Sequence, residues 1–89
     1  MPEKRIGIIG IVVEDLSSTE RVNAILHEHA GIIVGRMGIP YRERGISVIS
    51  LIVDGTEDTI STMTGKLGRI PKINVKCTLV KLQEVQNEK

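Results

Sequence analysis

Residues 6–13 read IGIIGIVV and residues 46–53 read ISVISLIV, and these two runs decide the fold class. Each run is apolar at most positions and too short for a helix of ordinary length, which is typical of a buried β-strand. Two further apolar runs, over 32–39 and 73–82, predict a second and a fourth strand. The chain is therefore predicted to contain four strands, and the segments that separate them determine the topology.

Helical patterns separate the first strand from the second and the third from the fourth. Residues 17–20 match a capping box, in which the Ser17 hydroxyl would accept a hydrogen bond from the amide of Glu20. Thr56 is the predicted N-cap of the second helix, and the two acidic residues after it suit the positive end of a helix dipole. The apolar stripes at helical spacing comprise Val22, Ile25, Leu26 and Ala30 in the first helix and Ile60, Met63, Thr64 and Leu67 in the second.

The order of predicted elements is strand, helix, strand, hairpin, strand, helix, strand, with the hairpin over 40–45. Right-handed crossovers and a tight hairpin leave one common solution for this order. It is an α+β fold of the ferredoxin-like βαββαβ type, also called ACT-like. Its antiparallel sheet has strand order 4-1-3-2, with both helices on one face. We expect one domain over 1–82 and a polar C-terminal tail over 83–89.

Composition excludes several classes of function. The chain has 89 residues, a formal net charge of +1, no Phe or Trp, and a single aromatic residue, Tyr41. That charge provides no field to attract nucleic acid or an anionic membrane, and a sheet that reads RNA or DNA needs stacking aromatic side chains. The lone cysteine, Cys77, cannot form an intrachain disulfide. We therefore expect a cytoplasmic protein that contacts neither nucleic acid directly nor a membrane.

The strand composition also predicts that the protein is not a monomer. Both helices of this fold cover the same sheet face, yet the runs over 6–13 and 46–53 carry apolar residues on both faces. An apolar face left in water across several strands would exceed the patch that monomers tolerate. We favour a homo-oligomer that buries the helix-free sheet face. The alternative is that scattered aliphatic residues are simply exposed.

Four segments resemble the family of iron-only hydrogenase system regulators. They are IVVED at 11–15, VNAILH at 22–27, GRMGIPYRE at 35–43 and GKLG at 65–68. The resemblance extends over nearly the whole chain. It implies a regulatory function and an ACT-like fold similar to the regulatory domain of the nickel-responsive repressor. Because the first strand starts almost at the N-terminus, without the repressor's DNA-reading arm, we expect a regulator that acts through another chain.

The hairpin is the best candidate for a binding site. In strand order 4-1-3-2 the first two strands run parallel, so their carboxyl ends share one sheet edge with the start of the first helix. Arg42 and Arg44 of the hairpin should therefore lie near the strand-to-helix turn, which contains Glu14, Asp15 and Ser17. Guanidinium groups and free helix amides together can hold a small anionic ligand or an acidic partner protein. The alternative is that these arginines only pair with acidic neighbours or form a structural interface.

Metal binding and catalysis find less support in the sequence. His27 and His29 are two residues apart on the first helix, so their side chains point about 200° apart and cannot chelate one ion. Cys77, on the last strand, is expected to pack in the interior. Because both histidines lie on the first helix and the cysteine on the last strand, the repressor's nickel site does not transfer. We expect no catalytic residue, no cofactor and no metal site. Two alternatives stay open: a metal-handling protein that uses Cys77 with His27 or His29 across subunits, and a purely structural assembly unit.

Overall fold

The computed structural model describes residues 3–82, and the predicted polar tail over 83–89 lies outside them. Four strands and two α-helices follow one another in the predicted order. Their bounds are β1 Lys4–Val13, α1 Thr19–Glu28, β2 Ile33–Tyr41, β3 Ile46–Thr56, α2 Glu57–Gly68 and β4 Ile73–Val80. No helix within 3–82 combines the length and the hydropathy that crossing a membrane requires.

The four strands form one sheet in the order β2-β3-β1-β4, which is the predicted order 4-1-3-2 counted from the other edge. Every neighbouring pair is antiparallel, so β1 and β2 run in the same direction on either side of β3. This is the arrangement that two right-handed strand–helix–strand crossovers produce when a hairpin joins them. The predicted ferredoxin-like βαββαβ fold is confirmed.

The core lies between the helices and the two central strands. Because side chains alternate between the faces of a strand, every second residue of β1 and β3 faces the helices. On β3 this face carries Ile49, Leu51 and Val53, which are at most 4% exposed. The other buried apolar residues are Ile9, Ile11 and Val13 of β1, Val22 and Leu26 of α1, Ile60, Met63 and Leu67 of α2, and Ile70.

The start of α1 differs from the predicted capping box, which is wrong. Residues Leu16–Ser18 form a short 3-10 helix, and α1 begins only at Thr19. The Ser17 hydroxyl donates to the Asp15 carboxylate at 2.7 Å instead of capping Glu20, and the N-cap residue Ser18 makes no side-chain capping bond. Asp15 caps this 3-10 turn, since its carboxylate also accepts a hydrogen bond from the Ser17 amide at 3.0 Å.

The position of Cys77 also differs from the expectation of interior packing. Cys77 is opposite Ile9 in the strand register, so it lies on the helix side of the sheet as predicted. It is nevertheless exposed, because β4 is an edge strand and α2 presents small residues toward it. A groove with a volume of about 490 Å³ remains between them, lined by Ser61, Thr64, Gly65 and Gly68 of α2 and by Ile73–Cys77 of β4.

Candidate functional site

The sheet face opposite the helices carries an exposed apolar surface, which we call the open face. Most of its apolar members come from the three strands β2, β3 and β1, and Val80 of β4 adds one more. Four of them are about half exposed: Ile8 at 52%, Met37 at 61%, Ile39 at 52% and Ile52 at 47%. Strand register and alternation also place here Ile6 and Val12 of β1, Tyr41 of β2, and Ile46 and Val48 of β3.

Among the described residues 3–82, the charged side chains of this open face lie at its borders. On β1 and β3 they are Lys4 and Asp54, at the end of the sheet farthest from the β2–β3 hairpin. On β4 the corresponding positions are mainly polar, including Lys76. A shallow depression of about 170 Å³ lies near the middle of the face, lined by residues that include Gly35, Met37, Ser50 and Ile52.

The hairpin and the strand-to-helix turn share one edge of the sheet, as their register requires. Val13, the last residue of β1, is opposite Ser47, and Tyr41, the last residue of β2, is opposite Ile46. Between β2 and β3 the chain forms a 3-10 turn over Arg42–Arg44, and Gly45 closes it with a φ of 67°. Both arginines are exposed.

The acidic residues of this edge contact other groups than the hairpin arginines. The Glu14 carboxylate accepts a hydrogen bond from the side chain of Asn74 on β4, and the Glu14 amide donates to the Lys72 carbonyl at 2.9 Å. Within 3–82 no ion pair joins Arg42 or Arg44 to a carboxylate. The five predicted residues therefore share an edge, but the structure connects the acidic ones to their own neighbours.

Asp15 and Ser17 form a local pair. Hydrogen bonds from the Ser17 hydroxyl and amide, in that order of importance, hold the pKa of the Asp15 carboxyl below its ordinary value, and the charge of Lys72 adds to the effect. Asp15 is thus a fixed anion that shapes the turn. Its carboxylate hydrogen-bonds to Ser17 in the same turn and not to the hairpin arginines.

The histidines and the cysteine lie on different elements. The Nδ1 atom of His29, which is half-buried, is 2.9 Å from the Ile25 carbonyl, a contact that fits a structural role at the end of α1. His27 is exposed on the same helix, and partial burial raises the pKa of the Cys77 thiol. Across the described part of the chain, no group of three or more His, Cys, Asp or Glu side chains is placed to hold a metal ion.

One polar contact was not anticipated from the sequence. A guanidinium nitrogen of Arg36 on β2 donates to the Asn23 side-chain oxygen on α1 at 2.6 Å. The two residues are 13 positions apart and belong to different elements, so neither spacing nor periodicity indicates the contact. The single available signal was that both lie in segments that carry the family resemblance.

The comparisons with known proteins agree with this fold. A family model described as "TM1266-like: Iron-only hydrogenase system regulator, putative" matches residues 5–77. The solved structure of the uncharacterized protein TM1266 from Thermotoga maritima is 38% identical to this chain, with a TM-score of 0.84. The match covers 89% of this chain and 100% of that one.

A second solved structure is more distant. CPII, a nitrogen regulatory PII-like protein from Thiomonas intermedia K12, was solved bound to ADP, AMP and bicarbonate. It is 17% identical, with a TM-score of 0.43 over 86% of this chain and 96% of that one, which is too low a similarity to transfer a ligand. No curated protein sequence matches. With the family model covering most of its length, this chain belongs to the TM1266-like family of iron-only hydrogenase system regulators.

Proposed function

We propose that the protein is a cytoplasmic, homo-oligomeric regulatory module of the iron-only hydrogenase system, which acts by binding and not by catalysis. The observation that carries this proposal is the open face. Three adjacent strands present aliphatic side chains to water on the side that no helix covers. A second copy of the chain is the occupant that fits this surface best.

Self-association is favoured by the chemistry of the open face. Covering half-exposed aliphatic side chains such as Ile8, Ile39 and Ile52 would contribute about 1 kcal/mol each, before the costs of association. Because the charged residues lie at the borders, two copies related by a two-fold axis can bring their apolar centres together without like-charge repulsion. Two sheets that pack face to face lie about 10 Å apart, so the inner side chains of two such faces can interdigitate.

The experiment is a charged substitution at the centre of this surface. Ile52 is half exposed in the isolated subunit, so Ile52→Asp should leave the fold intact and prevent a second copy from binding. Sedimentation velocity at micromolar concentration should show an oligomer for the unmodified protein and a monomer for Ile52→Asp. Circular dichroism should show the same secondary structure for both proteins.

The matched control is Ala24→Asp, which adds the same charge to an exposed position on α1. This variant should remain oligomeric, because it leaves the open face unchanged. A monomeric unmodified protein, or an Ile52→Asp variant that still associates, would contradict the proposal.

The hairpin edge is the proposed surface for a partner. Arg42 and Arg44 are exposed on a short turn, with no carboxylate paired to them among the described residues. Their guanidinium groups are therefore free to bind an anionic ligand or an acidic protein surface. Glu14, Asp15 and Ser17 form the adjoining turn of the same edge and hold its backbone in place. An oligomer would present at least two such edges.

A further inference from the structure

A groove lies between α1 and β2 on the helix side of the sheet, with a volume of about 450 Å³. It exists because β2 is an edge strand, so α1 covers only part of its inner face. One wall consists of residues at positions i, i+3 and i+4 of α1, extended by Ala30 of the 3-10 turn that follows the helix, and the other wall belongs to β2. The lining residues are Asn23, Leu26, His27, Ala30, Ile33 and Arg36.

The groove combines an apolar floor with a small number of polar groups at one side. Ile33 is half-buried and Ala30 is exposed, so the floor offers aliphatic surface, and the buried Leu26 lies beneath it. The polar groups are the Arg36 guanidinium, the Asn23 amide and the His27 imidazole. A mostly apolar cleft of a few hundred Å³ with a few convergent polar groups is the usual composition of a small-molecule site.

Arg36 has the properties of an anion anchor. The Asn23 side-chain oxygen accepts one of its N–H groups at 2.6 Å, which orients the planar guanidinium at the groove. Within residues 3–82 Arg36 forms no ion pair, so the remaining N–H donors and the positive charge are available. Such a planar group binds a carboxylate through two parallel hydrogen bonds.

We propose that this groove binds a small carboxylate with an apolar body, whose carboxylate group lies on Arg36 and whose body lies on Ala30 and Ile33. This inference goes beyond the proposed function, since the groove is on the helix side and the oligomer would form on the open face. An inorganic anion would fit the charge of Arg36 but not the apolar floor. An uncharged apolar molecule would fit the floor but leave Arg36 unpaired.

The experiment is a titration of the isotope-labelled protein followed by amide chemical shifts, with hexanoate as the probe. Hexanoate should shift the amide signals of Asn23, His27 and Arg36 with a saturable dependence on concentration. Hexanol keeps the apolar chain of hexanoate but lacks the carboxylate, and acetate keeps the carboxylate but lacks the chain. Each should bind at least about tenfold more weakly than hexanoate, because each loses either the contact with Arg36 or the contact with the apolar floor. Equal shifts with acetate and hexanoate would overturn the proposal.

Substitution of Arg36 tests whether hexanoate binds at a specific site or adsorbs weakly to the surface. Arg36→Met keeps an apolar stem and removes the charge, and it should weaken hexanoate binding by about tenfold or more. The matched control, Arg69→Met, removes an exposed arginine at the end of α2 and should bind hexanoate as the unmodified protein does. Unchanged binding by Arg36→Met would overturn the proposal.

A second variant tests the same geometry without removing the arginine. Asn23→Asp would replace the neutral oxygen on Arg36 by a carboxylate, which should compete with the probe and weaken its binding while the folded spectrum is retained. The monomeric Ile52→Asp variant should bind hexanoate normally. Loss of hexanoate binding and loss of association are thus separate results, and either proposal can fail alone.

Discussion

Gly7 is packed so closely that one added methyl group should clash with its neighbours and destabilise the fold. A Cβ atom there would lie 2.7 Å from Val53 Cγ2 and 3.1 Å from Leu79 Cδ2. Val53 is fully buried and β-branched, so it has little freedom to move. Gly7→Ala should therefore lower the free energy of unfolding by about 1–3 kcal/mol, as overpacking does. Chemical denaturation at fixed protein concentration measures this.

Gly65 provides the matched control for that substitution. It lies within α2, is exposed, and a Cβ atom there would meet nothing within 4 Å. Gly65→Ala should raise the free energy of unfolding by about 0.5–1 kcal/mol, because glycine loses more backbone entropy in a helix than alanine does. Equal effects of the two substitutions would contradict the packing around Gly7.

Asp15 should give the turn before α1 a pH dependence of known sign. Its pKa is lowered in the folded protein, chiefly by the Ser17 hydroxyl. The stability that it contributes is therefore present above its ordinary pKa and is lost as the pH falls through the lowered value. Ser17→Ala should move the titration midpoint of the Asp15 carboxyl upward, measured by carbon NMR.

The substitution Ser50→Ala is the control for this titration. Ser50 lies on the open face in β3, away from the turn, and its removal should leave the Asp15 midpoint unchanged. If Ser17→Ala also left the midpoint unchanged, the hydrogen bond of 2.7 Å between Ser17 and Asp15 would not be the cause of the shift.

At the scale of single elements, the two helices begin in different ways. The Thr56 hydroxyl accepts from the Thr59 amide at 3.1 Å and caps α2 as the sequence predicts. Thr56→Ala should lower the free energy of unfolding by about 1 kcal/mol. Ser17→Ala should lower the free energy of unfolding by only about a few tenths of a kcal/mol, because Ser17 lies in an exposed 3-10 turn and caps no α-helix. Thermal melts of both variants check this, and equal losses would contradict it.

The edge strands also differ from each other. β2 contains Pro40 and an irregular register between Ile33 and Gly35, both of which hinder the addition of another strand. β4 has a regular register from Ile73 to Val80 and carries Lys76 on the open-face side. The β2 edge is therefore a poor candidate for uncontrolled pairing, and on the β4 edge only the charge of Lys76 opposes it.

At the scale of the whole molecule, the hairpin prediction distinguishes a binding role from a structural one. The double substitution Arg42→Ala with Arg44→Ala should leave the melting temperature and the oligomer nearly unchanged, since neither arginine has an ion-pair partner within 3–82. Binding of an anionic ligand or an acidic partner should weaken by more than about tenfold. Pull-down from hydrogenase-system proteins and a thermal melt measure the two effects.

The substitution Arg69→Ala is the control for that experiment, because Arg69 is an exposed arginine outside the hairpin, directly after α2. It should change neither stability nor partner binding. A double variant that melts at a lower temperature or loses its oligomer would show that Arg42 and Arg44 are structural. The hairpin proposal would then be wrong, while the open-face proposal would stand on its own test.

The sequence by itself determined the elements, their order and the topology. Period-two alternation places Ile49, Leu51 and Val53 on one face whatever the partner strand, and the handedness of crossovers leaves one arrangement for this order. These properties are set by local geometry. The exposed apolar face follows from them too, since the predicted fold covers only one side of strands that are apolar on both.

Only the tertiary structure decided how far each element is covered and which distant groups meet. Cys77 is exposed because the α2 surface opposite it is made of small residues, and β3 continues beyond the apolar run over 46–53 as far as Thr56. The Glu14–Asn74 and Arg36–Asn23 contacts join residues 60 and 13 positions apart. Such contacts depend on how helices sit on the sheet, and that packing is a property of the whole chain, which no local pattern encodes.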